Sequence, residues 1–162
     1  MSRERVLAAA MRGEPASDYP FSGPMLNRAG DLRMDHKEDP ADELRRKAGS
    51  VDGIELFHNQ ILVAIYVRPE RTRGGIILAD VTRKEDIFQG KVGLVLKKGP
   101  LAFVDDARNQ FQGQNVDVGD WIAFRTSDGW QLRVNGSDGQ VPCRILEDVH
   151  VKARLTSPDE IY

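Results

Sequence analysis

The chain has 162 residues, of which 40% are hydrophobic and 30% charged, and a formal net charge of −2, which is typical of one globular domain with an extension. This charge argues against the overall basic field of a nucleic-acid-binding protein. The single cysteine, Cys143, excludes an internal disulfide and a cysteine-based zinc site. No apolar run approaches the roughly 18–20 residues that span a bilayer, and VLAAAM is shorter than a signal-peptide core of about 7–15 residues. We therefore expect a cytoplasmic protein that binds neither nucleic acid nor membrane.

The first fifty residues differ in composition from the rest. Two short helices are predicted: VLAAAMRG, which ends at Gly13, and DPADELRRKAG, with Asp39 as N-cap, Pro40 as first helical residue and Gly49 just past the end. The segment between them has no sustained period and cannot fold alone. It is either a disordered tail or an arm that orders against a neighbour, with apolar anchors at Tyr19, Phe21, Met25 and Leu26.

From residue 54 onward the sequence has the pattern of β-strands separated by turns. Six strands are predicted, within IELFHNQILVAIYV, GKVGLVLKKG, GDWIAFRT, GWQLRV, QVPCRILE and DVHVKARL. Asp128-Gly129 is typical of a tight hairpin turn, and Asn135-Gly136 with Asp138-Gly139 of a looser one. Alternation in the last strand predicts one shared face for Val149, Val151 and Ala153.

With no convincing helix after residue 54, the predicted fold class is all-β: a small antiparallel β-barrel or sandwich, preceded by a mostly irregular arm with short helices. The predicted domains are an N-terminal arm over 1–50, a β domain over 51–157 and a C-terminal tail over 158–162. Two connections, 68–89 and 99–117, are long for such a domain, and loops of this length are usually functional or disordered.

Residues 56–155 resemble the GroES family of co-chaperonins. The resemblance is carried by the strand NQILVAIYVRPE, the loop motif GGIIL, the strands GKVGLVL and VDVGDWIAF, and the closing segment DVHVKARL, in the family's order and at nearly its spacing. The most specific part is GGIIL in a charged loop followed by a Gly-x-Val strand. The resemblance implies a GroES-like β-barrel with a long mobile loop.

The resemblance also implies partners and a binding site. A homo-oligomeric ring, a heptamer, would cap a GroEL-type chaperonin in its ATP-bound state and so assist protein folding. Residues 100–116 would form a roof hairpin, and the strand 148–155 would pair with the first strand of a neighbouring subunit. The residues that bind an apolar groove of the chaperonin would be those of the mobile loop: Gly74, Gly75, Ile76, Ile77 and Leu78.

Simple energetics agree with an exposed role for GGIIL. Burying one aliphatic side chain is worth roughly 1.5–3 kcal/mol, whereas ordering a flexible backbone costs about 1–2 kcal/mol per residue. The two terms nearly cancel, so one loop binds weakly and several loops on one ring bind together. The alternative is that GGIIL is a buried strand after a turn, which the charged residues on both sides disfavour.

No other residues form a convincing site. His36, His58 and His150 lack ligand spacing, so no metal is expected, and Cys143 is expected to be a buried, inert thiol. The acidic residues of the second long connection, Asp105, Asp106, Asp117 and Asp120, lack the spacing of a calcium loop. No catalytic constellation and no phosphate-binding loop are present, so we expect no enzyme activity and no cofactor.

Some segments differ from ordinary co-chaperonins. These are the first fifty residues, the segment LRVNGSDGQVPCRILED, and the roof loop with Phe103 and Phe111. Added segments are a habit of bacteriophage co-chaperonins, so a phage could encode this chain. The alternative function is a structural component of a phage capsid, neck or tail, located in the virion, whose arm binds other phage structural proteins. A third is another small β-barrel binding module.

Overall fold

The computed structural model describes residues 31–161. The helix predicted over VLAAAMRG and the anchors Tyr19, Phe21, Met25 and Leu26 lie outside these residues. The elements in chain order are α1 (Pro40–Ala48), β1 (Gln60–Ile65), α2 (Asp80–Gln89), β2 (Val92–Lys98), β3 (Trp121–Ala123), β4 (Trp130–Gly136), β5 (Gly139–Glu147) and β6 (Ala153–Leu155). Short 3-10 turns lie between β5 and β6, at Asp148–His150, and after β6, at Pro158–Glu160. Within residues 31–161, no helix has the length and apolar character to cross a membrane.

All six predicted strands are present and form one antiparallel sheet with the order β4-β5-β1-β2-β3-β6. This confirms the mostly β architecture. The sheet is open, with β4 and β6 at its edges, and does not close into a barrel. The turn predicted at Asp128-Gly129 joins β3 to β4, which are not neighbours, so its assignment as a hairpin turn is wrong. The tight hairpin is the next one, where Gly136 pairs with Gly139.

Two further local predictions are wrong. The region after residue 54 does contain a helix, α2, which has no side-chain N-cap and begins after Ala79. The last predicted strand is interrupted at its start by the turn Asp148–His150, in which the Glu147 N–H donates to His150 Nδ1 at 3.0 Å. Val149 and Val151 therefore lie outside β6 and do not share a strand face with Ala153.

The core lies on both faces of the sheet, with β1 at its centre. One face of β1 contributes Ile61, Val63 and Ile65 to a cluster with Ile122, Phe124 and Leu146. The other face contributes Leu62 and Ala64 to a cluster with Leu94, Trp121 and Cys143. A strand buried on both faces reads as a continuous apolar run, which explains the sequence QILVAI.

Helix α1 forms as predicted and packs on the sheet. The Asp39 carboxylate accepts the Ala41 N–H at 3.0 Å, and the helix ends at Gly49, whose φ is +66°. Its residue Ala48 is buried in the cluster that contains Leu62. At the end of β4, a Cβ on Gly136 would collide with the carbonyl oxygen of Lys47. Glycine at this position therefore allows the β4–β5 hairpin to lie against the C-terminal end of α1.

Candidate functional site

The connection between β1 and α2 is an ordered hairpin rather than an irregular loop. Arg71 and Ile77 form an antiparallel bridge. The Leu78 N–H donates to the Glu70 carbonyl at 2.8 Å, and the Thr72 N–H donates to the Ile76 carbonyl at 2.9 Å. Residues 70–78 therefore form a short hairpin of two extended segments joined by a turn, and helix α2 follows directly after it.

The turn of this hairpin depends on one threonine and one glycine. Thr72 is only 2% exposed, its Oγ1 accepts the Ile76 N–H at 3.0 Å, and its carbonyl accepts the Gly75 N–H at 3.0 Å. Gly75 has a φ of +87°, a conformation that side-chain-bearing residues rarely adopt. The turn leaves the aliphatic residues at the tip and on the returning strand.

The three aliphatic side chains of the predicted site have different surroundings. Ile76 and Ile77 are 46% and 61% exposed. Leu78 is half-buried and packs against the cluster that contains Leu62. The structure therefore brings the predicted residues Gly74 to Leu78 together at one hairpin tip with two aliphatic side chains on the surface. That they bind a partner remains a prediction.

Residues 31–35 pair with the first half of the hairpin, residues 71–74. This pairing was not predicted from the sequence. Met34 forms an antiparallel bridge with Thr72. The Asp35 N–H donates to the Arg71 carbonyl at 2.9 Å, and the Arg73 N–H donates to the Arg33 carbonyl at 2.8 Å. One signal could have indicated this strand: apolar or aromatic side chains alternate at Leu32, Met34 and His36.

The C-terminal side of the hairpin is fixed through helix α2. Asp86 is 3% exposed, and its carboxylate accepts the Arg68 backbone N–H at 3.0 Å, Nε at 2.9 Å and Nη2 at 2.8 Å. Arg83 Nε in turn donates to the Arg68 carbonyl at 3.0 Å. This buried pair joins the end of β1 to the middle of α2.

A second buried arginine holds the end of α2. Arg144 of β5 is 1% exposed and donates to the carbonyls of Thr126 at 2.6 Å, Asp128 at 3.0 Å and Phe88 at 2.7 Å. Burial lowers the pKa of its guanidinium, and the group also lies 5.5 Å from the centre of the Phe124 ring. Arg144 therefore joins α2, β5 and the turn between β3 and β4.

The second long connection is also ordered by its own side chains. The Phe103 and Phe111 rings meet edge to face at 5.5 Å. Asp106 Oδ1 accepts the backbone N–H groups of Arg108 and Asn109, each at 2.7 Å, and these bonds lower the pKa of the Asp106 carboxyl. Its roof role stays a prediction.

Two other residues considered as possible ligands or nucleophiles, His36 and Cys143, have contacts typical of structural residues. His36 Nε2 lies 2.6 Å from the Tyr66 hydroxyl. Cys143 is 2% exposed, and burial raises the pKa of its thiol to about 12. Over residues 31–161, no group of three or more histidine, cysteine, aspartate or glutamate side chains is placed to hold a metal ion.

Comparison with known proteins decides the family. No protein-family model matches the chain. Over 82 residues, 51% of this chain, it is 38% identical to "Co-chaperonin GroES 5" of Rhizobium meliloti and covers 73% of that protein. It is 32% identical to "Co-chaperonin GroES" of Methylorubrum populi, again over 82 residues, and covers 79% of it. The chain belongs to the GroES co-chaperonin family. GroES co-chaperonins are not enzymes, so membership supports the expectation of no catalytic activity.

Proposed function

We propose that this GroES-family chain is a co-chaperonin that caps a GroEL-type chaperonin in its ATP-bound state. The binding residues are Gly74, Gly75, Ile76, Ile77 and Leu78. The observation that carries the proposal is the exposure of Ile76 and Ile77, at 46% and 61%, on a hairpin tip of a GroES-family protein. We place this function in the cytoplasm, where a chaperonin of this type works.

The energetics favour weak binding by each tip and tight binding by several. Burial of an aliphatic side chain is worth roughly 1.5–3 kcal/mol, so the remaining exposed area of Ile76 and Ile77 gives a single tip only modest affinity. When several tips belong to one assembly, every docking after the first is intramolecular. Such binding is strong as long as the partner's grooves are positioned correctly, and it is released when they move.

The proposal includes a homo-oligomeric ring, a heptamer as in the family resemblance. Its support is the sheet topology, because β4 and β6 are edge strands. Edge strands carry unpaired backbone groups that a neighbouring chain can bind. In the ring, the edge strand β6 of the closing segment 148–155 pairs with a free edge of the next subunit. The first strand, β1, cannot supply that edge, because it is already bonded to β5 and β2. The alternative of a phage structural component finds no support in the two relatives, both of which are named as co-chaperonins.

The test is co-sedimentation with a GroEL-type chaperonin and ATP. Ile77→Asp places a charge on the apolar tip and is expected to abolish capping. Val118→Asp is the control, because Val118 is 59% exposed, close to the 61% of Ile77, but lies in the connection before β3. Normal capping by Ile77→Asp would show that the docking assignment is wrong.

A further inference from the structure

We propose that residues 31–35 are a third strand of the chaperonin-binding element, which keeps the 70–78 hairpin ordered in the free protein and adds Leu32 to its binding tip. Residues 31–35 and 70–78 together form this docking element. The assignment of its partner rests on the proposed function, whereas the pairing and its effect on order do not.

Backbone hydrogen bonds hold residues 31–35 against the hairpin. Three backbone bonds join them: Asp35 N–H to the Arg71 carbonyl, Arg73 N–H to the Arg33 carbonyl, and Gly74 N–H to the Asp31 carbonyl, at 2.9, 2.8 and 3.1 Å. These bonds reach from the base of the hairpin to its turn. An isolated two-stranded hairpin is marginally stable in water, and a third strand with an apolar face is what makes such a unit persist.

The third strand is anchored to the core through Met34 and the neighbouring His36. Met34 is 6% exposed and belongs to the cluster that contains Leu62. His36 Nε2 lies 2.6 Å from the hydroxyl of Tyr66, whose ring meets Trp121 at 5.6 Å. Burial of Met34 and the contact of His36 therefore hold this segment against the sheet, and the hairpin is bonded to a fixed neighbour.

Leu32 lies at the exposed end of the third strand. The bridge between Met34 and Thr72 sets the register, and alternation puts Leu32 on the same face as Met34 and next to Gly74. Ile76 is bonded to Thr72 across the hairpin, which puts it on this face as well. At the base of this face Met34 and Thr72 are buried, whereas at the tip Leu32 is 68% and Ile76 46% exposed.

The apolar tip is thus composite. Leu32 comes from the N-terminal segment and Ile76 from the hairpin, and Gly74, which lies beside Leu32, adds no side chain to this face. A pre-ordered tip loses less conformational freedom when it binds. This differs from the sequence-based expectation of a mobile loop, because it predicts that residues 70–78 are protected before any chaperonin is present.

Hydrogen exchange of the free protein tests the strand. Asp35→Pro removes the N–H that donates to Arg71, and Asp35→Ala is the matched control because it keeps that N–H. The Arg73 and Gly74 amides are expected to be protected in the wild type and in Asp35→Ala, and to exchange at least about tenfold faster in Asp35→Pro. Unprotected Arg73 and Gly74 amides in the wild type, or equal rates in the two variants, would overturn the proposal.

Binding to a GroEL-type chaperonin with ATP tests the composite tip. Leu32→Asp is expected to weaken binding by at least about tenfold, with Val118→Asp as control and an unchanged thermal unfolding midpoint, because Leu32 is exposed. If Ile77→Asp abolishes binding but Leu32→Asp binds like the wild type, Leu32 is not part of the tip. If Ile77→Asp itself binds normally, the proposed function has failed instead.

Discussion

Arg144 of strand β5 is one of the most deeply buried side chains of the described residues, with only 1% of its surface exposed. The strand otherwise has the pattern of an ordinary alternating segment. The guanidinium nevertheless donates to four carbonyls in two places: that of Phe88 at the end of α2, and those of Arg125, Thr126 and Asp128 in the turn between β3 and β4. Among the buried side-chain nitrogen and oxygen atoms of residues 31–161, only Arg144 Nε has no hydrogen-bond partner. A single side chain therefore satisfies carbonyls that the backbone leaves open.

Replacing this arginine should be costly. Arg144→Met keeps much of the length but removes the arginine donors of the Thr126 and Asp128 carbonyls, which we expect to lower the free energy of unfolding by about 2–4 kcal/mol. The measurement is urea-induced unfolding. Arg133→Met on the exposed side of β4 is the control and should change stability by less than about 0.5 kcal/mol. Similar small effects for both variants would contradict this role of Arg144.

The thiol of Cys143 makes a prediction about pH. Its folded-state pKa, about 12, lies above that of an unfolded cysteine, so the unfolded chain loses the proton first as the pH rises. Stability therefore falls between about pH 8.5 and 12, with a slope of at most about 1.4 kcal/mol per pH unit, and is unaffected at lower pH. Cys143→Ala should lack this component, which unfolding curves of both proteins at pH 7.5 and 10 would measure. Equal losses in both proteins would contradict the assignment.

At the scale of elements, helix α2 shows why part of the fold could not be predicted. Its sequence is DVTRKEDIFQ. No side chain caps its N-terminus, and its second and third residues, Val81 and Thr82, are β-branched and therefore poor helix formers. What fixes it is tertiary: Asp86 binds Arg68, and the Phe88 carbonyl accepts from Arg144. By contrast, α1 carries its own N-cap, first-turn proline and terminal glycine, so it was predicted correctly.

The pair between Arg68 and Asp86 should therefore control the stability of α2. Asp86→Asn removes the charge from a buried pair, and we expect a loss of about 3–5 kcal/mol. Asp80→Asn is the control on the same helix, because the Asp80 side chain is 86% exposed and such pairs are worth about 0–1 kcal/mol. Thermal unfolding of both variants is the measurement. Comparable losses would show that the pair does not anchor α2.

The docking element was only half visible in the sequence for a related reason. The motif GGIIL can be recognised from residue types alone, because its two glycines and three aliphatic residues are flanked by charged residues. The segment 31–35 is joined to the hairpin mainly by backbone bonds, which leave little trace in residue types. Short strand pairings of this kind depend on what the rest of the chain brings nearby.

At the scale of the whole molecule, the strands were predicted and their order was not. Apolar runs and turn residues locate strands, but a sheet order in which β1 lies between β5 and β2 is decided by long-range packing on both of its faces. The two relatives confirm the family resemblance over about half of the chain. The resemblance implied a closed barrel, however, and the sheet is open.

The proposed ring makes a prediction about cooperation between subunits. In assemblies that mix wild-type and Ile77→Asp chains, affinity for the chaperonin should fall much faster than the wild-type fraction, because each lost tip removes an intramolecular docking step. Titration of the chaperonin with mixtures of known composition measures this. A fall in proportion to the wild-type fraction would mean that the tips bind independently.

The close approach of Gly136 to the Lys47 carbonyl limits how helix α1 and the β4–β5 hairpin can be exchanged between proteins. Helix α1 and the β4–β5 hairpin pack together only because position 136 carries no side chain, so a change in either element affects the other. Transplanting α1 onto a shorter relative would succeed only where glycine already occupies the matching position. Any side chain introduced at position 136 must therefore be accompanied by a shift or removal of the C-terminal end of α1.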